Sequence, residues 1–423
     1  MPDIAAMPAA TDPGAPPAGA ATREPTGTVV MRFGEHAVAD VDGIHAVARR
    51  LVDVRDAGNG VVGVLAAMGS TTSELLELAR QVSPRPHERE LDMLVSVGER
   101  AACALTAMAI VDLGHDAVSL TGSQAGIVTD TAHGEARIVD VRPGRVREAL
   151  ERGAIVLVAG FQGVSTDSEV TTLGIGGRDA TAVALAAALD ADACELLEED
   201  IDGVHSASPE IVTSARTVPV VSHDELLELG SAGDPLVQLR SLELARSHRV
   251  PLHVRSSRSA VEGTWVVSEE DWRMLERAII SGVAHTVDDT VYRVDGISPA
   301  ALFSALAEAD VVVDTILQTA DGLVFSAPTA DDGATDEVLR SLGARFTADA
   351  ELGQVSVVGA GMRSHPGVAG TAFATLEENG IEPVIVTTSP IRISCHVRRD
   401  AVERAVRALH DAFELGAEER AGG

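Results

Sequence analysis

The sequence predicts an α/β protein of two or three domains, and three observations carry that prediction. Valine-rich apolar runs alternate along the chain with alanine- and leucine-rich stretches of helical length, the pattern of strands covered by helices. One run, Ile155–Phe161, leads through a glycine-rich turn over Thr171–Thr181 into the alanine-rich stretch Ala182–Leu189. The last third of the chain repeats a βαββα-type pattern in two successive units of about 60–70 residues.

Composition bounds the function. A hydrophobic content of 45% over 423 residues supports a full core, and with aromatics at 2% that core is built from Val, Leu, Ile and Ala. A net charge of −31 argues against nucleic-acid and anionic-membrane partners, because phosphate repulsion would have to be overcome first. No apolar run approaches the roughly 18–20 residues of a transmembrane helix. The start, Met1-Pro2-Asp3, lacks the basic and apolar regions of a signal peptide, and a cytoplasmic protein is expected. Cys103, Cys194 and Cys395 lie far apart in apolar surroundings and read as buried free thiols. All 33 basic Lys/Arg positions are arginine. Codon drift exchanges surface lysine for arginine at little cost, but not where a compact, rotatable cation is required.

Residues 1–27, rich in Ala, Pro, Gly and Thr without periodicity, read as a disordered tail. Val29–Gly34 is a strand entering a loop, Asp42–Arg55 an amphipathic helix, and Val61–Ala67 a strand that ends at Met68-Gly69-Ser70-Thr71-Thr72. Ser73–Val82 and Glu88–Leu113 are helical. Glu99 lies among small and apolar residues, where an unpaired carboxylate is expensive. Its partner is either a structural cation or a substrate amine. His133–Ile138 reads as a hairpin turn.

In the central stretch, the glycines of Gly174–Gly177 present backbone N–H groups at a helix start, the usual way to hold a phosphate. Asp179 stands where a helix cap or a phosphoryl-transfer acid would stand. A turn-rich segment over Asp200–Pro209 follows, then the helix His223–Gly230, the stretch Leu239–Ser247 and a last strand, Pro251–Arg255. Ser256–Gly263 marks a domain boundary. The first repeat unit holds Val291–Asp314 and Leu323–Ser326. The second holds Val355–Val358, the turn Arg363–Val368, the helix Ala369–Asn379, two strands and the helix Ala401–Leu415. Arg363 and His365 are either ligand contacts or exposed turn residues.

Seven motifs, in this order, resemble aspartate kinase over nearly the whole chain after the tail. They are Leu91–Arg100, Gln124–Asp130, Val158–Val164, the glycine turn, Arg240–Ala245, Ile280–His285 and Val357–Val368. The resemblance implies a three-layer amino-acid-kinase domain around a central, mostly parallel sheet over 28–262. Two α+β ACT domains would follow, over 263–350 with a shortened ligand loop and over 351–423. It also implies transfer of the γ-phosphoryl of ATP to the side-chain carboxylate of L-aspartate, and a homodimer formed through the ACT domains.

Position by position, the resemblance points to Arg32, Arg178 and Asp179 as catalytic residues. It directs Glu99 to the substrate amine, with Thr72, Phe161, Gln162, Thr171 and Thr172 around the substrate. Gly34, Gly176, Gly177, Asp200, Asp202 and Arg240 fall around the nucleotide, and Gln318, Arg363 and His365 at the ACT effector positions. No residue is assigned to a metal.

The chain departs from the family's pattern at these contacts. Lys-Phe-Gly-Gly-Thr-Ser reads Arg32-Phe33-Gly34-Glu35-His36-Ala37, and Gly-Arg-Gly-Gly-Ser-Asp reads Gly174-Ile175-Gly176-Gly177-Arg178-Asp179. The nucleotide segment Thr-Asp-Val-Asp-Gly reads Glu199-Asp200-Ile201-Asp202-Gly203, preceded by a one-residue insertion. Asp-Pro-Arg has become Ser208-Pro209-Glu210, and a lysine has become Pro235. Two anions must meet in this reaction, so the site needs cations. Glu35 at about 4 Å from phosphate would cost several kcal/mol at an effective dielectric near 20.

The expectation is therefore a diverged homologue lacking ordinary ATP:L-aspartate 4-phosphotransferase activity. It would bind an amino-acid-like small molecule as a redirected enzyme, or act as a regulatory partner of another enzyme, with ATP and Mg2+ required only if kinase activity is retained. The alternative is an active aspartate kinase in which Arg32 and Arg178 replace the lost cations.

Overall fold

The computed structural model describes residues 27–174, 176–199, 201–233, 235–259, 261–270, 279–320 and 322–416. Most of the expected tail, with Ile175 and Asp200, lies outside them, as does the side chain of Arg363.

The chain begins with β1 (Thr28–Phe33), α1 (Val41–Asp56), β2 (Gly60–Leu65), α2 (Thr71–Val82), α3 (Glu88–Val95) and α4 (Val97–Asp112). Next come β3 (Ala117–Leu120), α5 (Gly122–Ala125), β4 (Ile127–Thr129), β5 (Ile138–Val141), α6 (Gly144–Glu151), β6 (Ile155–Ala159), β7 (Gln162–Ser165) and β8 (Val170–Thr172). The kinase-like part closes with α7 (Gly177–Leu189), β9 (Ala193–Glu198), β10 (Val220–Ser222), α8 (His223–Ser231), α9 (Leu239–His248), β11 (Leu252–Ser256) and β12 (Thr264–Val267).

Eight of these strands form one sheet in the order β10-β12-β11-β9-β1-β2-β6-β3, parallel except where β11 meets β12. Its strands read as near-continuous apolar runs because both faces are covered. Alternate residues serve opposite layers. Val29, Met31 and Phe33 pack with Ile44 and Leu51 of α1 and Ala102 and Ile110 of α4, while Val30, Val62 and Val156 pack with Val183 and Leu185 of α7. The result is a three-layer α/β domain. A smaller sheet, β5-β4-β7-β8, stands beside it, and the expected hairpin turn at 133–138 joins β4 to β5.

The remainder comprises β13 (Gly282–Thr286), β14 (Asp289–Asp295), α10 (Pro299–Glu308), β15 (Ile316–Thr319), β16 (Gly322–Pro328), α11 (Asp332–Ser341) and β17 (Arg345–Asp349). After these come β18 (Leu352–Val358), α12 (Val368–Glu378), β19 (Ile385–Thr388), β20 (Arg392–Arg398) and α13 (Val402–Ala412). They form two four-stranded α+β sheets, β15-β16-β14-β17 and β13-β18-β20-β19.

Three sequence expectations are corrected here. The kinase sheet does not stop before residue 263, because β12 runs antiparallel beside β11 and parallel to β10. The first repeat unit does not begin at residue 263, because β13 belongs to the sheet of the second, where it pairs with β18, so it is the second unit that is split in sequence. The first unit's own sheet is filled instead by β17, on the far side of β14. Finally, α3 and α4 (88–112) together are long and apolar enough to cross a membrane. Half of that apolar window is buried in the protein, and Ala102, Cys103, Ala109 and Ile110 of α4 are core residues.

Candidate functional site

The parallel strands β1, β2, β6 and β9 all end at one edge of the sheet, where the loops after Phe33, Leu65, Ala159 and Glu198 gather. Strand order reverses across β1: the chain passes to β2 on one side and returns to β9 on the other. Such a switch point opens a crevice beyond the carboxyl ends of the strands. The amino end of α7 is built into this crevice by Gly176, whose φ of 73° suits glycine and where a Cβ would lie 2.4 Å from Gln238. At Gly177 a Cβ would meet that of Leu173 at 2.6 Å.

Arg32, near the end of β1, is 4% exposed. Its Nε lies 2.7 Å from Asp179 Oδ1 of α7, an ion pair whose N–H is not aligned on the oxygen. Its Nη1 donates to Glu198 at the end of β9. Burial opposes the charge on Arg32, and the Asp179 and Glu198 carboxylates overcome that opposition, holding its pKa above the usual arginine value. Arg178, next to Asp179, places Nη1 2.5 Å from Glu35 Oε2 on the loop after β1. Gly34 sits beside these groups, and a Cβ there would lie 3.4 Å from Glu198 Oε2.

The residues that the resemblance directs to the substrate lie on α2, α4 and the β6–β8 segment. Glu99 is 3% exposed on the first turn of α4, and its Oε2 has no hydrogen-bond partner among the described residues. Burial raises its pKa to about 7, against the smaller lowering effects of Arg178 and Arg100. Gln162 donates to Ser96 O at 2.8 Å and accepts from Arg100 at 3.1 Å. Thr171 meets Thr129 at 2.6 Å, and Thr172 donates to Asp92 at 2.5 Å. These three side chains are committed to bonds within the protein. Phe161, with φ of 66°, holds a backbone conformation that non-glycine residues rarely adopt, and its N–H donates to Thr181 Oγ1. Thr72 is half-buried on the first turn of α2.

Around the expected nucleotide position, Asp202 accepts from Ser259 Oγ at 2.6 Å. Arg240 donates to the carbonyls of Leu173 and Ala136 at 3.1 and 3.0 Å, so its guanidinium holds the glycine turn against the β4–β5 hairpin. Gly203, next to Asp202, opens onto a cavity of about 1160 Å³ with Leu236 and Val237 on one side and His285 and Arg399 on the other. Gln318 lies exposed on β15 and His365 exposed in the turn before α12, its Nδ1 2.8 Å from Gly361 O. No cluster of three metal-ligating side chains converges among the described residues.

Two groups escaped the sequence reading. Glu198, at the end of β9, was not singled out. Asp92, 1% exposed, gathers His133 Nδ1 at 2.6 Å, the Gly134 N–H and Thr172. The argument that singled out Glu99, an acid in an apolar helix, applies equally to Asp92.

The sequence profile of the amino acid kinase family matches residues 27–256, and that of an ACT domain matches 355–413. The aspartokinase of Mycolicibacterium smegmatis is 48% identical over 411 residues, covering 93% of this chain and 97% of its own. The chain belongs to the aspartokinase family. The Corynebacterium glutamicum aspartokinase is 46% identical over the same length. Among solved structures, E. coli aspartokinase III in complex with aspartate and ADP aligns with a TM-score of 0.75 at 21% identity, over 91% of this chain and 99% of that one, a likeness of fold.

This membership overturns the expectation of a homologue without ordinary kinase activity. Aspartokinases match at 46–48% identity over 93% of this chain and 97% of their own, kinase and ACT parts together. The structure removes the main physical objection as well. The negative charge of Glu35 does not face the site alone, because Arg178 neutralises it at 2.5 Å.

Proposed function

We propose that the protein is an active, cytoplasmic aspartate kinase, transferring the γ-phosphoryl of ATP to the side-chain carboxylate of L-aspartate to make an acyl phosphate. The observation that carries this reading is the pair of arginines, Arg32 and Arg178, converging with the N-terminus of α7 at the switch point of the sheet.

The reaction brings two anions together, and its transition state spreads charge over the phosphoryl oxygens. Arg32, Arg178 and the positive end of α7 stabilise that charge from fixed positions. Gly34, Gly176 and Gly177 let backbone N–H groups approach without side-chain interference, and Asp202 and the cavity beside Gly203 suit the rest of the nucleotide. Arg240 keeps the glycine turn in place. Mg2+ would be carried chiefly by the phosphates and would supply further charge neutralisation.

Glu99 receives the α-ammonium of aspartate. Its free Oε2 and raised pKa fit a carboxylate that becomes fully ionised when a cation arrives. Thr72 and Phe161 border the substrate, and Gln162, Thr171 and Thr172 keep that side rigid.

The domains are read as a kinase domain and two ACT units, the latter forming a homodimer and holding an amino-acid effector near Gln318, Arg363 and His365. The test of the activity is ADP release from ATP, Mg2+ and L-aspartate, with hydroxylamine trapping of the acyl phosphate. Aspartate-dependent ADP release with hydroxamate formation is expected. Release at the same rate without aspartate, or none at all, would overturn the reading.

A further inference from the structure

Each of the two arginines in the crevice is held by a glutamate for which the proposed reaction has so far no use. Arg178 is paired with Glu35, and both side chains are about a third or more exposed. Arg32 is different. It is buried, with Asp179 on Nε and Glu198 on Nη1, so it has almost no water to complete its hydrogen bonding.

We infer that Glu198 is a positioning residue for Arg32, a role that rests on the proposed kinase activity. An arginine reaches its target through a long chain of rotatable bonds and then presents a planar fork, whose usefulness depends on its orientation. Asp179 holds one edge of that fork. Glu198 holds the other, from the end of the neighbouring strand β9, and the β1–β9 register places Arg32 beside Leu196, two residues before Glu198. The Arg32 Nη1–Leu197 O approach of 3.5 Å is too long to fix the fork without the carboxylate.

Gly34 lies against the arrangement. A Cβ there would come within 3.4 Å of Glu198 Oε2 and 3.8 Å of Arg32 Nη1, so the ion pair lies directly under the loop that offers N–H groups to the nucleotide. The side chain of Glu198 is 31% exposed whereas that of Asp179 is 10% exposed. Glu198 therefore faces the open side of the crevice and aims the guanidinium from there. In a chain whose basic residues are all arginine, this clamp gives a flexible guanidinium the fixed position that the chemistry requires.

The test is a set of four proteins: wild type, Glu198→Gln, Arg32→Lys and the double variant, with Glu198→Asp as the conservative control. Circular dichroism first confirms that each is folded. Glu198→Gln is expected to lower kcat by about ten- to a hundredfold, the scale of a displaced catalytic group, with the KM for aspartate nearly unchanged. Glu198→Asp should recover much of that loss. In the Arg32→Lys background, Glu198→Gln should cost little more, because no guanidinium remains to be aimed. Unchanged kcat in Glu198→Gln, or equal losses in both backgrounds, would overturn the inference.

Wild-type turnover separates this outcome from failure of the kinase reading. If the wild type makes no aspartyl phosphate, calorimetric titration of the same proteins with Mg-ATP decides: coupled affinities uphold the positioning role and additive ones refute it.

Discussion

Arg392 on β20 donates to Glu228 on α8 at 3.2 Å, joining the C-terminal ACT sheet to the kinase domain. The same guanidinium reaches Ser231 at 3.1 Å, Asp314 at 3.3 Å, just before β15 of the first ACT unit, and Gln354 at 3.0 Å on β18. One side chain, 9% exposed, thus touches all three units. A second bolt lies beside it, where buried Glu225 of α8 accepts from the Ala360 N–H at 2.9 Å and from Ser281 at 2.6 Å.

Arg392→Ala should destabilise the protein by about 1–3 kcal/mol, because it leaves the buried Gln354 amide without its partner, while the partly exposed Glu228 and Asp314 carboxylates keep much of their water. Arg392→Lys should recover only part of this, since an ammonium lacks the planar fork. Urea unfolding followed by fluorescence and by far-ultraviolet circular dichroism checks both. A midpoint equal to that of the wild type would show that the junction is held elsewhere.

Glu99 gives a pH signature. Burial raises its pKa from 4.5 to about 7, so between those values the folded protein binds more protons than the unfolded chain. Stability contributed by this group is present below about pH 4.5 and is lost as pH rises toward 7. Glu99→Gln should therefore stabilise the ligand-free protein near pH 8, by up to about 3 kcal/mol, and much less at pH 4.5. The same variant should raise the KM for aspartate by about tenfold or more, as expected for losing a buried charged partner. Melting curves across this pH range, with kinetics at pH 8, measure both. Equal effects at the two pH values would contradict the assignment.

Arg178 and Glu35 are predicted to act as a neutral unit. Arg178→Ala leaves Glu35 uncompensated and should weaken ATP binding about three- to tenfold, the scale of a partly exposed charge pair. Adding Glu35→Gly should restore part of that affinity. Calorimetric titration with Mg-ATP reports it, and a double variant no better than Arg178→Ala would mean that Glu35 is not repelling the phosphates.

The three thiols should be silent in the native state. Cys103, Cys194 and Cys395 are at most 3% exposed. Burial pushes all three thiol pKa values up, that of Cys395 to about 11. Since the thiolate is the reactive form, a chromogenic disulfide reagent at pH 8 should titrate no group before denaturant is added and three afterwards. Fast reaction in buffer would place at least one thiol near solvent.

The sheet of the kinase domain was legible because its strands are buried on both faces and must be continuously apolar, and because Gly176 and Gly177 announce the tight entry to α7. Glu99 was legible for a similar reason, as an acid in an apolar helix. What one dimension hides is pairing at a distance. Arg32 meets Asp179 and Glu198, more than 140 positions away, through the parallel register of β1 and β9. Arg178 meets Glu35 across 143 positions. Read singly, these residues looked like lost contacts and misplaced charges; as pairs they cancel. The swap of β13 into the second ACT sheet was hidden for a related reason, since hydrophobic alternation identifies a strand but not its neighbour.

That strand makes the first ACT unit a nested cassette. β13 and β18 are antiparallel neighbours, with Thr286 directly opposite Gln354, and everything from β14 to β17 departs and returns between them. Opposed residues in such a ladder stand about 5 Å apart, so a two-residue hairpin could close the gap after excision. Excision would strip Asp314 from Arg392 but leave Glu228, Gln354 and Ser231 in place, so the remaining sheet stays fastened to α8. The outer unit is thus fastened to the kinase domain, and the inner one is an insert that packs on it through Val291, Leu352 and Ile385, a cluster that excision would uncover.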